Sequence, residues 1–148
     1  MRYASGMTLE LDRQLCFALY KAEHAVTRSY QEHLVPLGLT YPQYITLLAL
    51  WGRDEPVPMK ELSEELCLDS GTLTPLLRRL EKQGLIDRAV DPADERRRVI
   101  ALTDAGRALK ARAEGIPAAQ LEAFAATGVD IAQLKSALEA IARLPRQQ

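Results

Sequence analysis

Residues 69–103 read DSGTLTPLLRRLEKQGLIDRAVDPADERRRVIALT, and this stretch decides the fold. Asp69 or Ser70 supplies a helix cap. Leu73, Leu76, Leu77 and Leu80 recur at helical spacing and form one apolar face. The helix is expected to reach Gln83, and Gly84 sits where a glycine closes a helix. Leu85–Val90 and Val99–Leu102 then read as two short strands flanking a polar tip, residues 91–98, rich in turn formers. A capped helix running into a charged hairpin is a shape for reading duplex DNA.

Just upstream, a short helix from about Met59 to Leu66 turns Leu62 and Leu66 inward. Short helix, tight turn, capped helix and hairpin together make the winged helix-turn-helix pattern, whose second helix enters the major groove by its N-terminal turn. Ser70, Thr72 and Thr74 are small polar side chains on that turn, able to reach phosphates or base edges. Arg78 and Arg79 follow one to two turns on, and Arg78, four residues from Thr74, shares its face. Arg96, Arg97 and Arg98 are placed at the hairpin tip, within reach of a minor groove or flanking phosphates. Asp94 is expected to hold the Arg96 guanidinium in a bidentate pair. Charged hairpin tips are often merely solvated, but the preceding helix-turn-helix favours DNA contact here. Pro75 removes a backbone donor just past the first turn, and the sequence leaves open whether it kinks the helix.

Outward from this core the chain is helical. Apolar residues from Leu11 to Leu34 recur at helical spacing, so one long helix is expected over roughly residues 8–35, ended by Pro36 and Gly38. Thr40 caps a second helix with Pro42 in its first turn, running through Trp51, a core candidate, to about Arg53. Thr103 caps a further helix that bends near Gly115 and Pro117, and Asp130 caps a last one to about Leu144. The fold class is therefore mainly α with a small β-hairpin wing. The 148 residues suit a single unit: residues 40–103 form the winged helix-turn-helix region, and helices within 8–38 and 104–148 remain for dimerisation.

Bulk properties narrow the classes. The net charge is −1, so the chain is no polycation. Residues 1–68 carry 6 basic and 9 acidic side chains, whereas residues 70–98 carry 7 and 5. A mild positive patch on an acidic body fits a DNA reader that also relies on shape. The longest apolar runs fall far short of the roughly 20 residues a spanning helix needs, and the N-terminus has no signal-peptide h-region. A cytoplasmic location and no membrane partner are expected. Cys16 and Cys67 are far apart, His24 and His33 isolated, and no cluster has zinc spacing. No metal or cofactor is called for. Cys67 reads as packing against Leu62 and Leu73.

The chain resembles the MarR family of winged-helix repressors. The resemblance rests on KELSEELCLDSGTLTPLLRRLEKQGLI followed by DPADERRRVIALTDAG and covers nearly the whole chain. It implies a homodimer on a pseudo-palindromic operator, with two recognition helices about 34 Å apart. A narrower resemblance, to the OhrR-type organic-hydroperoxide sensors, rests on LCFALY with Cys16 and Tyr20, on Tyr30, on TYPQY with Tyr41, and on LDSGTLTPLL. It implies that Cys16 is oxidised by peroxide and that two tyrosines of the partner subunit hydrogen-bond to it.

Helix geometry bears on that implication. Tyr20 lies four residues from Cys16 and shares its face. Tyr30 also shares the face but lies about 21 Å along a straight helix, so it reaches a Cys16 only across an antiparallel partner helix. Tyr41 opens the next helix and approaches the same place. Phenols donating to sulfur favour the thiolate, the species that attacks a peroxide to give a sulfenic acid. Some sensors of that type carry a second, resolving cysteine in their C-terminal helices; residues 104–148 contain none, so the chain resembles the one-cysteine type, which implies that a lasting signal needs a low-molecular-weight thiol or further oxidation. Two other readings remain. Cys16 is inert and the repressor is released by a small phenolic or aromatic ligand, or the chain is a thiol peroxidase, for which it lacks a CxxC pair. The expectation is a repressor, not an enzyme, that binds operator DNA when Cys16 is reduced and releases it on oxidation.

Overall fold

The computed structural model describes residues 9–145. Residue 8, where the first helix was expected to begin, lies outside the described residues. The chain divides into two compact units, Met1–Ala111 and Arg112–Gln148.

In the first unit, helix α1 spans Leu15–Leu34. Its expected first two turns are instead a single 3-10 turn, Leu11–Arg13, followed by Gln14 in an extended conformation. Glu10 gives that turn no side-chain cap, and the extended Gln14 interrupts the helical path. Gly38, at φ 70, closes the turn after α1, a backbone conformation that glycine adopts without steric cost. Helix α2 (Tyr41–Trp51) opens on a capping box: Thr40 and Gln43 each accept the other's backbone N–H, satisfying two donors at once.

A two-residue strand β1 (Val57–Pro58) precedes α3 (Met59–Leu66). Helix α4 (Ser70–Lys82) is capped by Asp69, whose carboxylate accepts the Thr72 N–H at 2.8 Å. It continues unbroken through Pro75. Strands β2 (Ile86–Asp91) and β3 (Asp94–Leu102) form the wing, and β1 adds to it in the antiparallel order β1-β3-β2. The sequence offered no sign of β1, because two residues show no alternation. Pro58 is tolerated there because β1 is an edge.

The core of this unit is built from the apolar faces that the sequence displays. Leu47 and Leu50 of α2, Leu62 of α3 and Leu73, Leu76, Leu77 and Leu80 of α4 are buried with Val57, Ile86 and Ile100 of the sheet. Each such Leu or Ile contributes about 1.5–3 kcal/mol by leaving water. Helix α5 (Asp104–Ala113) follows the wing. Thr103 Oγ1 accepts the Gly106 N–H at 3.0 Å at its start. Trp51 is half-buried rather than core, and its indole N–H donates to Gly106 O at 2.9 Å.

The second unit carries α6 (Ile116–Ala125) and α7 (Ile131–Ile141). The expected bend is a true break: α5 ends at Ala113, and Pro117 sits in the first turn of α6. Asp130 caps α7, accepting the Gln133 N–H at 3.0 Å. No helix among the described residues is long and apolar enough to cross a membrane.

Candidate nucleic-acid interface and thiol site

The N-terminal turn of α4 is presented outward. Ser70 and Thr72 are exposed and Thr74 is half-buried. Arg78 and Arg79 are also exposed and take part in no ion pair among the described residues. The opposite face, from Leu73 to Leu80, is sealed in the core, so the polar face alone is available to a ligand.

The wing departs from the expectation in one respect. The tip is only Pro92 and Ala93, and Arg96, Arg97 and Arg98 lie within β3. Pairing runs regularly from Ile86↔Leu102 to Val90↔Arg98, then jumps to Asp91↔Asp94. Glu95, Arg96 and Arg97 therefore form a bulge, which re-aims side chains and strengthens local twist. Two aspartates set the turn early: Asp91 Oδ1 accepts the Ala93 N–H at 2.9 Å, and Asp94 Oδ1 accepts the Arg96 N–H at 3.0 Å. Such local bonds replace the ladder at turns. Asp94 thus takes the Arg96 backbone rather than its guanidinium. The guanidinium nearest a carboxylate is that of Arg97, with Nε 3.9 Å from Asp91 Oδ2. All three arginines are exposed.

An ion pair clamps the wing to the recognition helix. Arg88 of β2 reaches Glu81 of α4 through Nε at 3.0 Å and Nη2 at 2.9 Å. At the other end of the motif, Arg53 ties the end of α2 to α3 through Glu61 at 3.1 Å and through Glu65 at 2.5 Å. Cys67 ends α3 at φ 54 and is exposed. It is not packed against Leu62 and Leu73, because the left-handed residue that turns the chain toward α4 directs its side chain outward.

Cys16 is exposed in the first turn of α1. Tyr20, 57% exposed, lies one turn on, stacked on Phe17 at 6.2 Å and tilted against His24 at 4.1 Å between ring centroids. The other aromatics gather at the far end of the helix. Tyr30 lies 4.8 Å from Tyr41 and 5.7 Å from Tyr44, and Tyr44 reaches Trp51 at 6.5 Å. Burial raises the phenol pKa of Tyr30, Tyr41 and Tyr44 above the ordinary tyrosine value, with Glu23 adding to the effect at Tyr41. All three are protonated hydroxyls at neutral pH, able to donate to an acceptor. Helix α1 is continuous between Cys16 and Tyr30, so the two are about 21 Å apart within one chain.

Comparison with known proteins places this arrangement. Residues 28–113, from the second half of α1 to the end of α5, match the model of the transcriptional regulators SarA/Rot. The chain belongs to that family. This SarA/Rot-family regulator is 47% identical over 130 residues to the organic hydroperoxide resistance transcriptional regulator of Bacillus subtilis, covering 88% of each chain. Reduced AbfR bound to DNA superposes with a TM-score of 0.70 at 32% identity, covering 90% of this chain and 96% of that one. The overoxidised AbfR bound to DNA gives 0.69 at 31% identity, covering 91% and 96%. A MarR-family regulator from Rhodococcus sp. RHA1 gives 0.78 at 26%, covering 93% and 100%. The family is one of MarR-like winged-helix, DNA-binding transcription regulators and not of enzymes.

Within this SarA/Rot-family regulator the structure brings Tyr30 and Tyr41 together and leaves Cys16 and Tyr20 at the other end of α1. Tyr44 belongs to the same cluster at 2% exposure, and the sequence reading overlooked it. Its position three residues after Tyr41 was the available signal, since i and i+3 share a helix face. The Arg88–Glu81 clamp carried no local signal, because its partners sit on different elements.

Proposed function

We propose that this regulator is a repressor that binds operator DNA while Cys16 is reduced and releases it when an organic hydroperoxide oxidises Cys16. The supporting observation is the separation along α1. One unbroken helix carries an exposed thiol at one end and Tyr30 at the other, where Tyr41 of α2 joins it, an arrangement that becomes a site only when a second α1 runs antiparallel to it. A homodimer formed by helices within residues 8–38 and 104–148 supplies that second helix and sets two regions of residues 40–103 on successive turns of DNA. Ser70, Thr72, Thr74, Arg78 and Arg79 then meet the major groove. Arg96, Arg97 and Arg98 meet the flanking backbone or minor groove from the wing, while Asp94 shapes the wing.

Tyr30 and Tyr41 of one protomer donate to the Cys16 sulfur of the other, and Tyr20 lines the approach. The thiolate attacks one peroxide oxygen; the O–O bond breaks as the S–O bond forms. Sulfur is oxidised to a sulfenic acid, and the hydroperoxide leaves as an alcohol carrying the former thiol proton. The added oxygen disturbs the tyrosine contacts and reorients the reading heads, a two-state interface switch. A low-molecular-weight thiol then condenses with the sulfenic acid, releasing water and leaving a mixed disulfide that prolongs the signal.

Cys16→Ser tests this reading. It should bind operator as wild type does in a fluorescence-anisotropy titration and stay bound after hydroperoxide treatment. Release that persists unchanged in Cys16→Ser would falsify the mechanism.

A further inference from the structure

Two glutamines connect the corner that carries Tyr41 to the far end of the DNA-reading helix. Gln43 is 5% exposed. Its Oε1 is used by the capping box, accepting the Thr40 N–H at 2.9 Å. Its Nε2 donates across the fold to Gln83 Oε1 at 3.3 Å. Gln83 is the C-cap of α4, and its own Nε2 donates to Gly38 O at 2.8 Å. The amide of Gln83 therefore takes a bond from α2 and returns one to the turn before it, and Tyr41 sits between those anchors.

We infer that Gln83, acting with Gln43, is the positioning residue that transmits a displacement of Tyr41 to α4. This inference rests on the sensing role proposed for Tyr41. Tyr41 is the first residue of α2, flanked by Thr40 and two residues from Gln43. A shift of its ring moves the backbone of both anchors, Gly38 and Gln43, together. Helices α2 and α4 are also in contact, but apolar packing is non-directional and tolerates sliding, whereas paired amide bonds fix a distance and an angle. The DNA-reading turn lies some 18 Å along α4 from Gln83. A rigid helix held at its C-terminal end swings its N-terminal end, and the Arg88–Glu81 clamp carries the wing with it.

Gln83→Met in the full chain tests the inference. Gln83 is exposed, so the replacement leaves no buried cavity and both amide bonds are lost at similar size. Expected results are a melting temperature lower by a few degrees at most, because the buried Gln43 amide loses a partner, with unchanged sulfenic acid formation at Cys16 by mass spectrometry and reduced-state operator affinity near wild type. The ratio of oxidised to reduced operator Kd should fall at least about fivefold, the lower edge of typical allosteric coupling. A ratio that stays at the wild-type value overturns the inference. A second measurement needs no peroxide. In reduced protein, the operator affinities of Tyr41→Ala, Gln83→Met and the double variant form a cycle, and coupling of about threefold or more is expected for residues in one network. Multiplicative effects would overturn the coupling. Wild type that peroxide does not release sinks the sensing reading instead, and the cycle still decides whether Gln83 couples Tyr41 to α4.

Discussion

Gly106 has no room for a side chain. A Cβ at that position would lie 2.0 Å from Leu85 O and 3.1 Å from Leu102 Cδ2. The Leu85 carbonyl cannot retreat, because it accepts the Thr103 N–H at 3.1 Å, and Gly106 O is held by the Trp51 indole. Gly106→Ala should therefore push the start of α5 off the root of the wing. Overpacking of this kind costs about 1–3 kcal/mol, and a melting temperature lower by roughly 3–10 °C is expected by calorimetry. A shift below about 1 °C would show that the contact yields, since even the smallest of these costs moves the midpoint further. At this level the sequence was legible where the partner is local. Asp69, Thr40, Thr103 and Asp130 announce their caps because the bonded N–H lies three residues away. Gln83 gave no sign, because its partners stand 40 and 45 residues distant.

The wing shows how an element differs from the sum of its propensities. Strands were expected where β-branched and apolar residues occur, at Leu85–Val90 and Val99–Leu102, and the charged run between them read as loop. Main-chain pairing continues further, because Asp91 and Asp94 close the turn at Pro92 and Ala93 and leave Glu95–Arg97 as a bulge on β3. The arginines accordingly project from a strand anchored by Ile100 in the core, rather than from a loose tip. Arg96 is exposed and has no ion pair among the described residues, so the DNA contact proposed for it uses an uncommitted guanidinium. Arg96→Ala should weaken operator binding several-fold, and the slope of log K against log salt should become shallower by about 1 if the contact is to phosphate. An unchanged affinity and slope would place Arg96 away from DNA.

Among the described residues, apolar side chains remain uncovered at several places, and those on α1 and α7 bear on assembly. On α1 Leu15 is 53% exposed, and on α7 Leu134, Leu138 and Ile141 form a stripe at spacings of four and three. A helix with such a stripe buries it against a partner or leaves a sticky surface. The proposed homodimer covers both. Leu138→Lys should place a charge in that interface and yield a monomer by size-exclusion chromatography with light scattering. Operator affinity should then fall steeply, because each half-site is held by one reading head alone. A dimer that persists in Leu138→Lys would remove α7 from the interface.

The linear pattern of residues was enough for the reading head. Apolar spacing from Leu73 to Leu80, an Asp cap and a Gly stop specify a helix and its buried face whatever surrounds them, because helix geometry is local. The same locality marks α1 as long and places Cys16 and Tyr30 on one face at opposite ends. Everything that depends on distant partners came from the tertiary structure: the Tyr30–Tyr41–Tyr44 cluster, the bulge that presents the arginines, the half-exposed Trp51 bonded to Gly106, and the glutamine link from Tyr41's corner to α4. The reason is physical. Caps and periodicities are bonds between neighbours in sequence, whereas coupling between a sensor and a reader must cross between elements, and only folding fixes which side chains meet there.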